Sequence, residues 1–234
     1  MSPESTASEP HLPETPLEAL GELTRERVIV NDHVFLIERP AESDRLLDDP
    51  KVRQAFQLDE CLPYWADLWP MARALAKAIL RESWPPGLEV LEVGCGLGLP
   101  GIAALARGLR VIFSDYDATA LRFAAANARL NGFAEFRVLQ MDWRWPPDDL
   151  HVPVILLSDL LYEMRNVEPL VALVRKVLLP DGVCLAIDQD RPPAQLLRET
   201  LPAYGLQFTT QMMRAGEPGG RRVKGTLYRI THGG

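Results

Sequence analysis

Two kinds of apolar spacing alternate along most of this chain. From residue 88 onward, short apolar runs that end in a polar or acidic residue are separated by longer stretches whose apolar positions recur at helical spacing. The short runs are typical of strands buried on both faces, and the longer stretches are typical of helices that pack against a sheet. This alternation predicts an α/β domain with a parallel sheet, right-handed crossovers and helices on both faces.

Individual elements follow from the apolar runs and from the turn residues between them. Strands are predicted at 88–93, 110–114, 135–139, 153–158 and 182–187, and helices at 70–80, 99–107, 118–130, 166–178 and 193–202. A β-hairpin is predicted at 27–37, because Asn31-Asp32 in its middle adopts turn conformations readily. The last segments, 206–213 and 224–231, alternate as a second antiparallel hairpin around a turn at 216–220.

Composition divides the chain into three predicted parts. Residues 1–22 form an acidic leader, rich in Pro, Glu, Ser and Thr, that we expect to be disordered. This leader has neither the basic start nor the apolar core of a signal peptide. Residues 23–60 are predicted to form a hairpin and helical extension, and residues 61–234 the main domain. We find no apolar run long enough to cross a membrane.

Charge and cysteine content argue against several function classes. The chain carries 25 basic and 32 acidic residues, a net charge of −7, which is not the balance typical of a nucleic-acid-binding protein. Its basic cluster at 221–224 is interpreted as a solvated turn, or alternatively as a contact for an acidic patch on a protein partner. The cysteines at 61, 95 and 184 are too widely spaced for a zinc or disulfide motif. We therefore expect reduced thiols in a cytoplasmic protein without a metal site.

The stretch at 88–101 carries the clearest chemical signal. Its apolar run is followed by three glycines at alternate positions, Gly94, Gly96 and Gly98. Pro100 then suits the first turn of a helix, because its fixed φ is already helical. Glycines between a strand and a helix let a nucleotide lie against the backbone, so the sequence predicts a nucleotide-binding turn.

The register of these glycines argues against a dinucleotide site. The Gly-x-Gly-x-x-Gly pattern requires its first glycine directly after the strand, which is Gly94, and its third place is then occupied by Leu99. The acidic Glu92, two places before Gly94, would repel a pyrophosphate. It suits a cationic ligand instead, such as the amino group or sulfonium region of S-adenosylmethionine.

Acidic residues also come after the other predicted strands. Asp115 stands where such folds bind ribose hydroxyls, and Asp117 is predicted to cap the next helix. Asp142 is expected to accept a hydrogen bond from the adenine amino group while Trp143 packs against the ring. The alternatives are a simple loop cap for Asp142 and a core position for Trp143.

These features resemble the class I S-adenosylmethionine-dependent methyltransferases over residues 60–230. A narrower similarity lies at 62–70, which contains Tyr-Trp-Ala-x-x-Trp-Pro, and at 158–162, which contains Asp-x-x-Tyr after the fourth strand of the sheet. Both segments resemble the seven-strand protein lysine methyltransferases, a family that includes the enzymes acting on the electron-transfer flavoprotein β-subunit. The resemblance implies a Rossmann-like seven-stranded methyltransferase sheet with an N-terminal β-hairpin extension, and S-adenosyl-L-methionine as cofactor.

Within this resemblance, Asp159 and Tyr162 are the candidate catalytic residues. Asp159 is expected to orient the incoming amine, and Tyr162 to accept a hydrogen bond from it and wall the pocket. Trp65 and Trp69 are expected to close the cofactor pocket and shape a narrow channel. The alternatives are that Asp159 caps the following turn and that the two tryptophans belong to the core. The full predicted cofactor site comprises Trp65, Trp69, Glu92, Gly94, Cys95, Gly96, Gly98, Asp115, Tyr116, Asp142, Trp143 and Ser158.

The residues directly after the fourth strand of the sheet predict the acceptor. Methyltransferases of planar bases and amides carry Asn/Asp-Pro-Pro-Tyr there, whereas this chain reads Ser-Asp-Leu-Leu at 158–161. A flexible amine is therefore favoured, and transfer to a protein lysine is the predicted activity. A small-molecule amine N-methyltransferase and a cofactor-binding interaction module with little turnover are the alternatives. We expect a monomer that binds a protein substrate and neither nucleic acid nor membrane.

Overall fold

The structure is a computed structural model that describes residues 20–48, 50, 52–53, 62–216 and 222–233. The predicted leader therefore lies almost entirely outside the described residues. The same holds for Cys61, for most of the predicted turn at 216–220 and for the first residue of the basic cluster at 221–224.

The predicted N-terminal hairpin is confirmed, and it is longer on both sides than expected. It consists of β1 (Leu23–Val30) and β2 (His33–Pro40), joined at Asn31 with a positive φ of 54°. Two short 3-10 turns, Ser43–Asp48 and Tyr64–Ala66, lie between the hairpin and the first α-helix of the main domain.

Seven further strands of the described chain form one sheet. They are β3 (Glu89–Val93), β4 (Arg110–Asp115), β5 (Arg137–Gln140), β6 (Val152–Ser158), β7 (Leu178–Asp188), β8 (Leu206–Ala215) and β9 (Val223–His232). Their order across the sheet is β5-β4-β3-β6-β7-β9-β8. Strands β3 to β7 are mutually parallel, and β9 pairs antiparallel with both β7 and β8. This confirms the parallel sheet with an antiparallel hairpin at its end.

Five α-helices of the described chain cover the two faces of this sheet. They are α1 (Pro70–Arg81), α2 (Leu99–Ala106), α3 (Ala118–Leu130), α4 (Val167–Val177) and α5 (Pro193–Ala203). Helices α1 to α3 pack on one face, against alternate strand residues such as Val90 and Leu156. Helices α4 and α5 pack on the other face, against the intervening residues such as Leu91 and Ile155. Because successive strand side chains point to opposite faces and both faces are covered, the central strands β3 and β6 consist mainly of apolar residues.

The predicted elements of the main domain all occur, and one boundary differs by more than two residues. Strand β7 begins at Leu178 and not at the predicted residue 182. Pro180-Asp181-Gly182 has the composition of a turn, so the sequence pattern predicted a break where the strand in fact continues. The early part of β7 pairs with β6 through an irregular register near Val152. Such an irregularity lets a strand include residues, here the turn-like segment, that do not fit the alternating pattern of a regular strand.

The strand order places a cleft at the carboxyl ends of β3 and β6. The chain runs outward from β3 to β4 and β5, and then returns to place β6 on the opposite side of β3. Ligands of open α/β sheets bind where the strand order reverses in this way. The glycine turn after β3 and Asp159 after β6 therefore meet at this reversal.

Two asparagines of the α3 region dock the hairpin against the main domain. The side chain of Asn131 accepts from the N–H of Leu36 at 2.9 Å and donates to its carbonyl at 2.8 Å. The side chain of Asn127 does the same for Glu38, at 2.7 and 3.1 Å, and also donates to the carbonyl of Leu97 in the glycine turn at 3.1 Å. The free edge of β2 is therefore paired with side-chain amides, which protects it from strand addition.

Replacement of Asn127 by Ala is expected to destabilise the fold. The substitution leaves the N–H and carbonyl of Glu38 without their amide partner, which costs about 1–3 kcal/mol in the free energy of unfolding. Denaturant unfolding measures this loss, with Arg122→Ala on the exposed side of α3 as control. An equal loss in both variants would mean that the docking contact contributes nothing specific.

Candidate functional site

The glycine turn is shaped by three left-handed residues. Gly94, Gly96 and Gly98 have φ values of 59°, 50° and 83°, and Gly98 precedes the first turn of α2. A Cβ on Gly96 would lie 3.3 Å from the carbonyl oxygen of Trp65, so the Tyr64–Ala66 turn lies directly over the glycine turn. Glycine is therefore required here both for its conformation and for this close approach.

Asp115 at the end of β4 contacts the glycine turn, and its predicted binding of ribose hydroxyls stays a prediction. Its carboxylate accepts from the backbone N–H of Gly96 at 2.9 Å and of Asp117 at 3.1 Å. Burial raises the pKa of Asp115 to about 6, although these backbone donors oppose the rise. Asp117 caps α3 by accepting from the N–H of Thr119 at 2.7 Å, which confirms its predicted role.

Glu92 is buried beneath the turn, and only 3% of its surface is exposed. Its Oε2 accepts from the backbone N–H of Gly101 in the first turn of α2 at 2.9 Å. Burial raises its pKa well above the ordinary value, which favours the protonated form. The contact that the structure shows joins β3 to α2, and a contact with a cationic ligand stays a prediction.

Asp142 has the geometry of the loop-cap alternative. Its carboxylate accepts from the backbone N–H of Arg144 at 2.8 Å and pairs with the Arg144 guanidinium at 2.6 Å. Trp143 is half-buried and packs against the core beneath α4 and α5, which agrees with its core alternative. The proposed contacts of both residues with adenine stay predictions.

Asp159 comes directly after β6 and ties three elements together. Its Oδ2 accepts from the N–H of Met71 in the first turn of α1 at 2.9 Å, and its Oδ1 accepts from Gln189 Nε2 at 2.9 Å. The same Oδ1 lies 3.1 Å from Nη2 of Arg191. The backbone of Asp159 has a positive φ of 58°, so these contacts hold a conformation that a non-glycine residue rarely adopts.

A group of residues at and after the end of β7 completes this cluster, and the sequence pattern did not reveal it. Asp188 is fully buried, and its carboxylate accepts from Arg191 at the backbone N–H and at Nη1, at 2.9 and 2.8 Å. The rule that located the other strand-end acids applies equally to Asp188, which ends β7. Arg191 and Gln189 had no comparable signal, because Asp159 lies 30 or more residues away from both.

Three aromatic rings form a cluster that extends to Arg191, a partner of Asp159. The Tyr64 ring lies 5.0 Å from the Tyr162 ring and 5.9 Å from the Trp69 ring, centroid to centroid. The Trp69 Nε1 donates to the carbonyl of Tyr64 at 2.7 Å, and the Arg191 guanidinium lies 5.5 Å from the Trp69 ring centroid. Trp69 and Tyr162 thus share one aromatic cluster with Tyr64, whose role the sequence pattern did not indicate.

Trp65 lies elsewhere, in the core position given as its alternative. Its side chain is buried, and its ring lies 5.2 Å from that of Phe123 on α3. Its backbone is the part that contacts the glycine turn. The buried ring of Trp65 therefore holds the Tyr64–Ala66 turn over the glycine turn. A direct contact of this ring with the cofactor stays a prediction.

Ser158, the last residue of β6, carries an unsatisfied polar atom. Its Oγ is the one buried side-chain nitrogen or oxygen in the described part of the chain that has no hydrogen-bond partner. Native proteins pair nearly all such atoms, so this hydroxyl is available to a ligand. It lies at the strand end next to Asp159, opposite the glycine turn across the β3–β6 pair.

These features fit S-adenosylmethionine. The glycine turn offers backbone against which a nucleoside lies, Asp115 offers acceptors for ribose hydroxyls, and the Ser158 hydroxyl lies next along the sheet. Tyr116 and Cys95 flank these groups, and the Cys95 thiol is buried with its pKa raised well above the ordinary value by burial. The thiol therefore stays protonated and serves as a small packing group.

A charged cleft lies on the hairpin side of the aromatic cluster. Its volume is about 250 Å³, and it is lined by Glu26, Arg39, Asp67, Leu68, Trp69 and Pro70. Glu26 pairs with Arg73 of α1, and Arg39 lies 3.5 Å from the same carboxylate. Trp69 thus forms a wall shared by the cleft and the aromatic cluster.

Metal-binding clusters and membrane-spanning helices are both absent from the described residues. These residues contain no group of three or more His, Cys, Asp and Glu side chains placed to hold a metal ion. None of the described helices is both long enough and apolar enough to traverse a lipid bilayer.

Curated relatives match the central part of the chain. The histidine protein methyltransferase 1 homolog of Dictyostelium discoideum is 34% identical over 104 residues, covering 42% of this chain and 34% of that protein. The electron transfer flavoprotein beta subunit lysine methyltransferase of Danio rerio is 34% identical over 103 residues, covering 43% and 40%. A histone-arginine methyltransferase of Homo sapiens is 30% identical over 118 residues, covering 46% and 60%. The chain thus spans between a third and three fifths of the length of these relatives.

Solved structures show the same fold. A TehB-like SAM-dependent methyltransferase from Corynebacterium glutamicum aligns with a TM-score of 0.54 at 18% identity, over 83% of this chain and all of that one. The [4+2]-cyclase SpnF aligns with a TM-score of 0.55 at 15% identity, over 68% and 80%. Since a methyltransferase and a cyclase align equally well, these matches establish the fold alone.

The family is established by the sequence itself. A family model described as lysine methyltransferase matches residues 66–197, which contain the glycine turn, the strand-end acids and the Asp-x-x-Tyr segment. This match covers more than half of the chain, and it confirms the resemblance to that family. The chain belongs to the lysine methyltransferase family.

Proposed function

We propose that this protein transfers methyl groups from S-adenosylmethionine to the side-chain amine of a lysine in a protein substrate. The observation that carries the proposal is the buried carboxylate of Asp159, which follows Ser158 in the chain and pairs with Arg191, the guanidinium that lies beside the Trp69 ring of the aromatic cluster. A carboxylate beside aromatic faces suits an amine that arrives as a cation. The relatives act on protein lysine, histidine or arginine by their names, which supports a protein acceptor.

The chain's own residues would hold the amine and the cofactor in position and would exclude water from the site. The sulfonium supplies the methyl group, so the protein has to align the amine with it and exclude water. An ammonium has no lone pair, and desolvation lowers its pKa, which favours the neutral, nucleophilic amine. Asp159 would direct one N–H of the amine, and the Tyr162 and Tyr64 rings would restrict its approach.

The charged cleft beside Trp69 is the proposed approach of the substrate chain. Trp69 lines both the cleft and the aromatic cluster, so the cleft lies next to the candidate acceptor site. Substrate residues that flank the acceptor lysine would lie in the cleft. Its lining carries both signs of charge, on Glu26, Arg39 and Asp67, which suits a polar peptide segment more than a small amine. This supports the protein acceptor over the small-molecule alternative.

The domain limits, the oligomeric state and the location of the protein stay predictions. We propose the division at residues 22/23 and 60/61, a monomeric state and a cytoplasmic location. The buried free thiols of Cys95 and Cys184 agree with reducing conditions. The net charge of −7 supports the expectation that nucleic acid is not the partner.

Cofactor affinity is expected to weaken as the pH falls through about 6. The pKa of Asp115 is raised to about 6, and its ionised form is the stronger acceptor for two ribose hydroxyls, so protonation weakens these contacts. Titration calorimetry with S-adenosylmethionine on both sides of pH 6 measures the effect. Asp115→Asn should abolish the pH dependence and weaken binding by about 1.5–3 kcal/mol, the value of hydrogen bonds to a charged group.

Asp117→Asn is the matched control for this experiment. It removes the same charge two residues away, and Asn caps a helix as well as Asp does. This variant should keep the pH dependence. If it loses the dependence as Asp115→Asn does, Asp115 is not the ribose-binding acid.

Methyl transfer is tested with methyl-labelled S-adenosylmethionine and a cell lysate, with proteins, nucleic acids and small molecules then separated. We expect label in a discrete protein, recovered as methyllysine after hydrolysis. Label recovered as methylhistidine or methylarginine would change the acceptor, and label only among small molecules would contradict a protein substrate.

Asp159→Asn is expected to lower kcat/KM for the acceptor by about a hundredfold or more, because it removes the charge that orients the amine. Cofactor affinity should be nearly unchanged, since the described contacts of Asp159 are with α1 and the segment after β7. Glu163→Gln, which removes a partly exposed charge paired with Arg165, is the control. An equal loss of transfer and of cofactor affinity in Asp159→Asn would contradict the assignment.

A further inference from the structure

Arg191 lies between two buried carboxylates at the candidate acceptor site. Its Nη1 is 2.8 Å from Asp188 Oδ2, and its Nη2 is 3.1 Å from Asp159 Oδ1. Its Nη1 also donates to the carbonyl of Asp159 at 3.4 Å. One guanidinium thus contacts both the side chain and the backbone of the residue with positive φ.

Asp188 has no access to a substrate, because its exposed surface is 0%. Both of its oxygens accept from Arg191, one from the backbone N–H and the other from the guanidinium. Such a residue acts by holding Arg191 in one geometry. The ring of Trp69 lies beside the same guanidinium, which further restricts it.

The hydrogen bonds on Asp159 leave one acceptor position open. A carboxylate oxygen accepts two hydrogen bonds, and Oδ1 already accepts from Gln189 and Arg191. In the described part of the chain, Oδ2 accepts only from the N–H of Met71. The remaining position on Oδ2 is therefore the one that stays open to an incoming amine.

We propose that Arg191, held by Asp188, is a positioning residue that keeps Asp159 ionised and leaves Oδ2 directed at the acceptor amine. The effect of Arg191 on methyl transfer rests on the proposed function. The charge state of Asp159 is measured without any turnover, so it is tested separately. With two carboxylates and one guanidinium, the group carries a single net negative charge, which matches one cationic acceptor.

Few charged groups surround Asp159, so the effect of Arg191 on the ionisation of Asp159 can be measured separately from theirs. From α1 comes the uncharged N–H of Met71, and from the segment after β7 come Gln189, Arg191 and the carboxylate of Asp188. Burial raises the pKa of Asp159, and Gln189 and Arg191 oppose that rise. Arg191 is the one cation among these groups.

The test is a carboxyl-carbon NMR titration of Asp159 in protein labelled at its aspartates, with the resonance assigned by Asp159→Asn. In Arg191→Met the titration midpoint of Asp159 is expected to rise by about one to three pH units, the effect of losing an adjacent opposite charge. Arg191→Lys keeps the charge without a guanidinium that reaches both carboxylates, so its midpoint should rise by less. Arg165→Met, which removes an exposed guanidinium, should leave the midpoint unchanged.

An unchanged midpoint in Arg191→Met overturns the proposal. If that variant does not fold, as judged by thermal melting and binding of S-adenosylmethionine, Arg191→Gln, which also removes the charge but keeps a polar side chain, decides the question: a midpoint equal to that of the parent protein overturns the proposal, and a raised one supports it. If the parent protein transfers methyl groups, the acid limb of its pH–rate profile should shift upward in the same variants, whereas a merely structural loss lowers the rate equally at every pH. A parent protein without transfer contradicts the proposed function, and the NMR result still stands by itself.

Discussion

The carboxylate of Asp159 joins the elements that surround the candidate acceptor site. Its two oxygens accept from the start of α1 and from two side chains that come after β7, while its own backbone continues from the end of β6. Because an unpaired buried carboxylate is costly, these donors have to be present together. The positions of the aromatic cluster depend on this, since Trp69 directly precedes α1 and Tyr162 lies three residues after Asp159.

The same constraint operates at each strand end of the cleft. Glu92 is paired with the N–H of Gly101, Asp115 with that of Gly96, and Asp188 with that of Arg191. Each acid therefore fixes a backbone segment next to the place where a ligand binds. Burial still raises the pKa of all three, so a cationic ligand arriving at this rim would stabilise their ionised forms. The acids thus hold the backbone of this rim, and their contact with a cationic ligand stays a prediction.

The sequence was sufficient to predict the elements, because the strands are short apolar runs and the helices have clear starts and stops. It also located Asp115 and Asp159, since acids at strand ends meet at one edge of a parallel sheet. It was insufficient for the side chains that pair with them. Whether Trp65 faces the cofactor or Phe123, and whether Arg191 reaches Asp159, depends on contacts between segments that are distant in the chain. Periodicity and spacing carry no information about such contacts.

The charge balance at Asp159 bears directly on the chemistry of a lysine acceptor. A free lysine has a pKa of about 10.4, so it reaches the site as an ammonium and has to lose a proton before it attacks the methyl group. Desolvation lowers the pKa of that amine, and the same burial raises the pKa of Asp159, so the two values approach each other. Arg191 works against this approach on the acid side, because it favours the carboxylate. The arrangement therefore favours a carboxylate that binds and orients the proposed lysine amine over one that takes up its proton.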